Sequence, residues 1–183
     1  MELVKESLFE FYKPKSVKDA TRIGTLYRIQ DEMKADSEIF DNLDNALKWA
    51  SEKGKINYVK YLLKAGADIH AEYDYPLRWA ANNGHYKVVK LLIKNGASVH
   101  ANNNGALRWA SEEGHYDIVK LLLNHGANIH AENDYALKHT SEKGYYDIVK
   151  LLLDNGASSI SIATILATNE GHHDVVELLK KYM

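Results

Sequence analysis

The chain of 183 residues contains no cysteine. That excludes a disulfide frame, a thiolate metal site and a cysteine nucleophile. No N-x-S/T acceptor for N-glycosylation occurs. No stretch approaches the roughly 20 apolar residues a membrane-spanning helix needs. The opening MELVKESLFEFYKPK lacks an apolar run of signal-peptide length. Together these absences set the expectation of a soluble protein in a reducing, intracellular space. An excess of one charge sign is also missing. The net charge of −2 leaves no overall basic footprint for nucleic acid. The strings HExxH, GxSxG, GxGxxG and the P-loop are all absent. An enzymatic role therefore has no positive support, and no cofactor is implied. Proline occurs only twice, as Pro14 at the end of an N-terminal helical pattern and as Pro76 in a first helical turn.

What the chain does contain is repetition. ALRWASEEGHYDIVKLLLNHGANIHAENDY at 106–135 follows PLRWAANNGHYKVVKLLIKNGASVHANNNG at 76–105 and ALKWASEKGKINYVKYLLKAGADIHAEYDY at 46–75. ALKHTSEKGYYDIVKLLLDNGA begins the next unit at Ala136. One array, rather than one globule, is expected. Within a unit, Leu107 and Ala110 share a face of a short helix that ends at Gly114. A second helix follows with Ile118, Val119 and Leu122 as its apolar stripe, ending at Gly126. Asp117, Asp147 and Asp174 sit in its first turn, where the helix dipole favours an anion. Asp44, Asp74, Asn104 and Asp134 recur just before the first helix and are expected to cap it. ANIHAEND is expected to run out as an extended polar connection. A unit this small cannot bury its apolar face alone, so neighbours must cover it and the array is a solenoid.

The run resembles the ankyrin repeat, whose pattern is T-P-L-H-x-A-A-x-x-G-H, then an apolar helix and L-L-x-x-G-A. YPLRWAANNGHYKVVKLLIKNGASV at 75–99 matches it best, and the likeness covers about 165 residues. The resemblance implies an all-α solenoid of stacked helix-turn-helix units. The period of 30 is three short of the family's 33. The loss falls in the loop that is normally a β-hairpin finger, so shortened fingers are expected. Arg or Lys replaces the signature His at Lys48, Arg78, Arg108 and Lys138, followed by Trp49, Trp79, Trp109 and His139. In texture these short repeats look like the ankyrin families of giant amoeba-infecting DNA viruses.

The expected organisation is an N-terminal segment, 1–15, then an array over 16–183. Residues 16–45 read as a degenerate N-terminal cap and 163–183 as a C-terminal cap. Repeats at 46–75, 76–105, 106–135 and 136–162 lie between them. Residues 1–15 have helical spacing at Val4, Leu8, Phe11 and Tyr12, and either cover the open end of the array or dock elsewhere.

His70, His100 and His130 recur at one position. Stacked helices lie about 8–10 Å apart, whereas zinc takes ligand atoms at about 2 Å. A ladder with that rise cannot converge on one ion, so no metal site is expected. His85, His115 and His172 follow the turn glycine, and the resemblance gives them a loop-tying role. Trp49, Trp79 and Trp109 are expected to pack between first helices, with edges open to a groove where Trp favours partner contact.

The resemblance further implies contact through finger tips and first-helix ends. These are Glu52 and Lys53; Glu72, Tyr73 and Asp74; Asn82 and Asn83; Asn102, Asn103 and Asn104; Glu112 and Glu113; Glu132, Asn133 and Asp134; and Glu142 and Lys143. With Asp44, the set holds nine acids and two bases, a net of −7. An interaction module for a protein partner with a basic or mixed-charge surface is therefore expected. Two alternatives stand beside it. One is nucleic-acid binding through the Lys60, Lys90, Lys120 and Lys150 row on the second helices, otherwise a solvated face. The other is a recruiting arm for a larger assembly, such as a ubiquitin ligase, through residues 1–15.

Overall fold

A computed structural model describes Gly24 and residues 42–183. The expectations for residues 1–15 and for most of 16–45 lie outside the described residues. Ten helices follow in order among the described residues, with no strand. They are α1 (Leu43–Glu52), α2 (Ile56–Ala65), α3 (Ala71–Asn82), α4 (Tyr86–Lys94), α5 (Ala101–Glu112), α6 (Tyr116–Asn124), α7 (Ala131–Glu142), α8 (Tyr146–Asp154), α9 (Ile160–Asn169) and α10 (His173–Lys180).

Odd-numbered helices stack into one layer and even-numbered helices into the other. The odd layer is the tighter one. Its contact faces carry Ala46, Ala50, Ala80, Ala106 and Ala110, all essentially inaccessible, and small side chains let helices approach closely. The array therefore has its odd helices on the inner side and its even helices on the outer side. Between the layers run two leucine ladders, Leu47–Leu77–Leu107–Leu137 and Leu62–Leu92–Leu122–Leu152, every member fully buried. Each is the 30-residue repeat expressed as a continuous core.

The tight turn from inner to outer helix needs glycine. Gly84 has φ +75°, and a Cβ there would stand 2.7 Å from the His115 ring. His115 Nε2–H donates to the Asn82 carbonyl at 2.8 Å, and His85 and His172 do the same to Glu52 and Glu142. A carbonyl only accepts, so the proton sits on Nε2 in all three. This ties each turn to the turn of the preceding unit. Tyr145 takes that place over Gly114.

The solenoid matches expectation, but its fingers are not shortened hairpins. ANIHAEND is not extended either: Ile129 and Ala131 are buried. The chain instead makes a left-handed helical turn of three residues. Glu72, Tyr73 and Asp74 have φ of +50°, +57° and +54°. Asn102, Asn103 and Asn104, and then Glu132, Asn133 and Asp134, repeat that conformation. The right-handed part of α3, α5 and α7 starts one residue later, which leaves Pro76 in the first turn of α3.

The recurring Asp or Asn does not cap its own helix. At α1 that role belongs to Asn42, whose side chain accepts from Asn45 N–H. The recurring residue reaches forward to the next unit instead. Asp44 accepts from Asp68 N–H, Asp74 from Ser98 N–H and Asn104 from Asn128 N–H, each 24 residues on. Asp134 accepts from Ser158 and Ser159.

Candidate partner-binding face

A left-handed turn costs side-chain-bearing residues roughly 1–2 kcal/mol each. What holds it here is the cation that replaces the family's His. Arg78 donates from Nε to the Tyr73 carbonyl at 2.9 Å and from Nη2 to the Glu72 carbonyl at 2.8 Å. Arg108 repeats the fork onto Asn103 and Asn102, and Lys138 reaches the Glu132 carbonyl. A planar guanidinium suits two parallel acceptors, whereas Lys can serve only one well. The last unit supplies an internal control. Its connection is three residues shorter, it has no left-handed turn, and Ile165 stands in register with Lys138. Turn and cation are lost together there, whereas at α1 Lys48 keeps the cation's register without such a turn before it and pairs with Glu72 of the next unit instead.

The same cations sit on aromatic rings. Arg78 lies 5.0 Å from the Trp109 ring centre and 5.8 Å from that of Tyr75. Arg108 lies 5.4 Å from Tyr135 and Lys48 5.6 Å from Tyr75. Trp79 meets Trp109 edge-on at 5.7 Å. Burial, reinforced by Glu52 and Glu72, raises the Tyr75 phenol above its ordinary range. Burial together with the hydrogen bond to Glu112 pushes Tyr135 up to about 12. Burial lowers Arg78, while Tyr75, Asp74 and Glu72 pull it back up.

The predicted contact residues divide into three groups. Tyr73 at the turn tip is 79% exposed, and Glu72, Asn103, Glu132, Asn133, Asn83 and Glu113 are exposed with it. Trp79, Trp109, Asn82, Glu112 and Glu142 are half-buried along the inner helices. Glu112 accepts from Tyr135 Oη at 2.7 Å, and Glu142 meets His139 at 3.0 Å. Asn103 Nδ2 donates to Glu132, bridging adjacent turns. Three residues leave the contact surface. Trp49 is buried beside Tyr58, and Asp74 and Asp134 are buried with their carboxylates committed to the next unit.

The charge of the face changes accordingly. Two of its nine acids are buried, and Lys48, Arg78, Arg108 and Lys138 offset four of the seven net negative charges. Glu72 is itself paired with Lys48. Sequence reasoning missed Ile162 and Ile165, 53% and 59% exposed at the C-terminal end of the same face. They stand in register with Tyr135 and Lys138 once the three-residue loss is counted, and that register was the available signal.

His70, His100 and His130 are spaced along the turns, one to each. His70 Nδ1 meets Asp74 at 3.1 Å, His100 meets Asn104 at 3.3 Å and His130 meets Asp134 at 2.7 Å. Each Nδ1 thus has its partner within its own turn.

An array of paired helices, with glycine turns tied by His to the preceding turn and left-handed turns leading into inner helices, defines a helical-repeat scaffold. Residues 42–74 match the family description Ankyrin repeat, and residues 70–133 match Ankyrin repeats (3 copies). The chain belongs to the ankyrin-repeat family. No curated protein matches it. Arrays of this family generally serve as non-catalytic protein-interaction modules. Among the described residues, no helix is long and apolar enough to cross a membrane.

Proposed function

We propose that this array binds a protein partner of mixed charge across its inner face. Contact runs from Tyr73, Asn103 and Asn133 at the turn tips, over Trp79 and Trp109, to Ile162 and Ile165 at the far end. The observation that carries the reading is Tyr73. It is mostly exposed, and it holds a left-handed conformation that Asn adopts more easily, as Asn103 and Asn133 do in the same register. The fold has no use for an aromatic there, and strained exposed residues concentrate at contact sites. Half-buried Trp beside it is a favoured anchor. The acids favour basic groups on the partner, while the adjacent cations favour acidic ones, so a purely basic surface fits less well.

The test is quantitative capture from lysate with wild type, with Tyr73→Asn, and with Glu113→Lys plus Glu132→Lys. Glu112 is left intact because it holds Tyr135. A protein recovered by wild type and lost with both variants supports the reading. Equal recovery by all three, with equal helicity by circular dichroism, removes the inner face from consideration.

A further inference from the structure

On the outer layer, α2 and α4 differ from the helices that continue it. Lys55, Lys60, Lys64, Lys87, Lys90 and Lys94 are all exposed, and none is in an ion pair among the described residues. No carboxylate occurs in Lys55–Ala65 or in Tyr86–Lys94. Asp68 lies beyond the end of α2, where it accepts from His70 N–H.

The next units show that the fold does not require this. In register with Lys87 stand Asp117 and Asp147, and in register with Lys94 stand Asn124 and Asp154. Asp154 pairs with Lys150 at 2.7 Å, so α8 makes an intrahelical ion pair that the basic pattern forgoes. Lys87 sits in the first turn of α4, where the helix dipole disfavours a cation. Lys87–Lys90, Lys60–Lys64 and Lys90–Lys94 are like-charge neighbours at three or four residues, a destabilising arrangement. Lys64 and Lys94 do gain from the dipole at their helix ends, but Lys87 gains nothing.

We infer that the outer face of α2 and α4 binds single-stranded nucleic acid. The lysines follow its phosphates, and Tyr86, 38% exposed one turn before Lys90, offers a ring on which a base can stack. The face carries no exposed aliphatic side chain of the kind that enters a membrane interface. Among the described residues it is two short helices wide, with nothing that projects into a duplex groove. Farther along the same layer, the cleft of about 370 Å³ between α6 and α8 is lined by Asp147, Asp154 and Lys150; Lys150 is paired with Asp154, so the lining carries one net negative charge and no free cation for phosphate. Binding is confined to α2 and α4.

The test uses the full chain and fluorescein-labelled oligo(U) and oligo(dT), read by anisotropy over a salt series. The variant Lys87→Asp plus Lys94→Asn carries the residues of the chain's own next repeat, so its folding is safeguarded. Circular dichroism melts check that. Lys180→Asp plus Lys181→Asn makes the same charge change at the C-terminal end. Wild type is expected to bind with a log–log salt slope near −4, about −0.7 for each of six phosphates. The Lys87/Lys94 variant is expected to lose at least about tenfold in affinity and about 1.4 of the slope. The Lys180/Lys181 variant is expected to match wild type. No binding at low salt overturns the inference. Equal loss in both variants, equal binding of polyglutamate, or binding to phosphatidylserine vesicles but not to oligonucleotides does so as well.

Discussion

Three serine hydroxyls sit where the fold gives them nothing to do. Ser51, Ser111 and Ser141 are completely buried and their Oγ atoms have no hydrogen-bond partner. Thr140 shows the alternative one position earlier: its Oγ1 donates to the Ala136 carbonyl at 2.7 Å. The chain contains its own repair, because Ala81 occupies the same register in the second described repeat and is equally buried. An unsatisfied buried hydroxyl costs about 1–3 kcal/mol. Ser111→Ala is therefore expected to stabilise the array by about 1 kcal/mol, a rise of about 2–4 °C in Tm for a chain of this size. A thermal melt followed by circular dichroism decides it. A lower Tm would show that the hydroxyl donates to a backbone carbonyl in solution. These serines were unremarkable in the sequence, since burial on a first helix was legible but partnerlessness depends on atomic positions.

At the scale of the element, the left-handed turn and its cation form one device. Removing the side chain in Arg108→Ala leaves the Asn102 and Asn103 carbonyls without their donors. A hydrogen bond to a charged group contributes about 1.5–3 kcal/mol. Arg108 is half-exposed, so solvent screening reduces the expected loss to about 1–2 kcal/mol. The loss should be local: hydrogen exchange should quicken across 101–108 more than in α8. Arg108→Lys should recover part of it, since Lys138 already serves in that register. Uniform exchange change along the chain would refute the device. The sequence displayed the helices, the glycine turns and the Arg or Lys in place of His. It did not display the turn, because three successive side-chain-bearing residues at positive φ contradict each residue's local preference. Only the cation from the following helix turn and the tether to the next unit make that conformation hold. The coincidence of two losses, three residues and the cation at Ile165, was the trace left in the sequence.

The whole molecule is a chain of nearest-neighbour seams, and its stability is close to a sum of units and junctions. Each described junction has a leucine ladder and a polar tether 24 residues long. Chemically the tethers differ. Asn104 cannot titrate, whereas Asp134 carries a charge and holds Ser158 and Ser159 at the entry to the last helix pair. Burial acts to raise the Asp134 pKa, but hydrogen bonds from Ser159, His130 and Ser158 outweigh it and leave the carboxyl below its ordinary value. A depressed folded pKa means stability that is fully present above the unfolded value, about 3.9, and lost as pH falls through the folded value. The junction to α9 and α10 is therefore expected to weaken only on the acid side of about pH 4. Asp134→Asn should cost about 1 kcal/mol at pH 7 by giving up charge-assisted bonds, with the mutant still folded because Asn104 shows that an amide can tether. The gap between wild type and Asp134→Asn should then close as pH falls below 4, since both side chains become uncharged. Denaturant melts of the two proteins at pH 7, 5, 4 and 3 measure that gap directly. A difference that stays constant across the series would mean that the Asp134 charge contributes nothing, and that shape and the serine hydroxyls alone seat the last two helices.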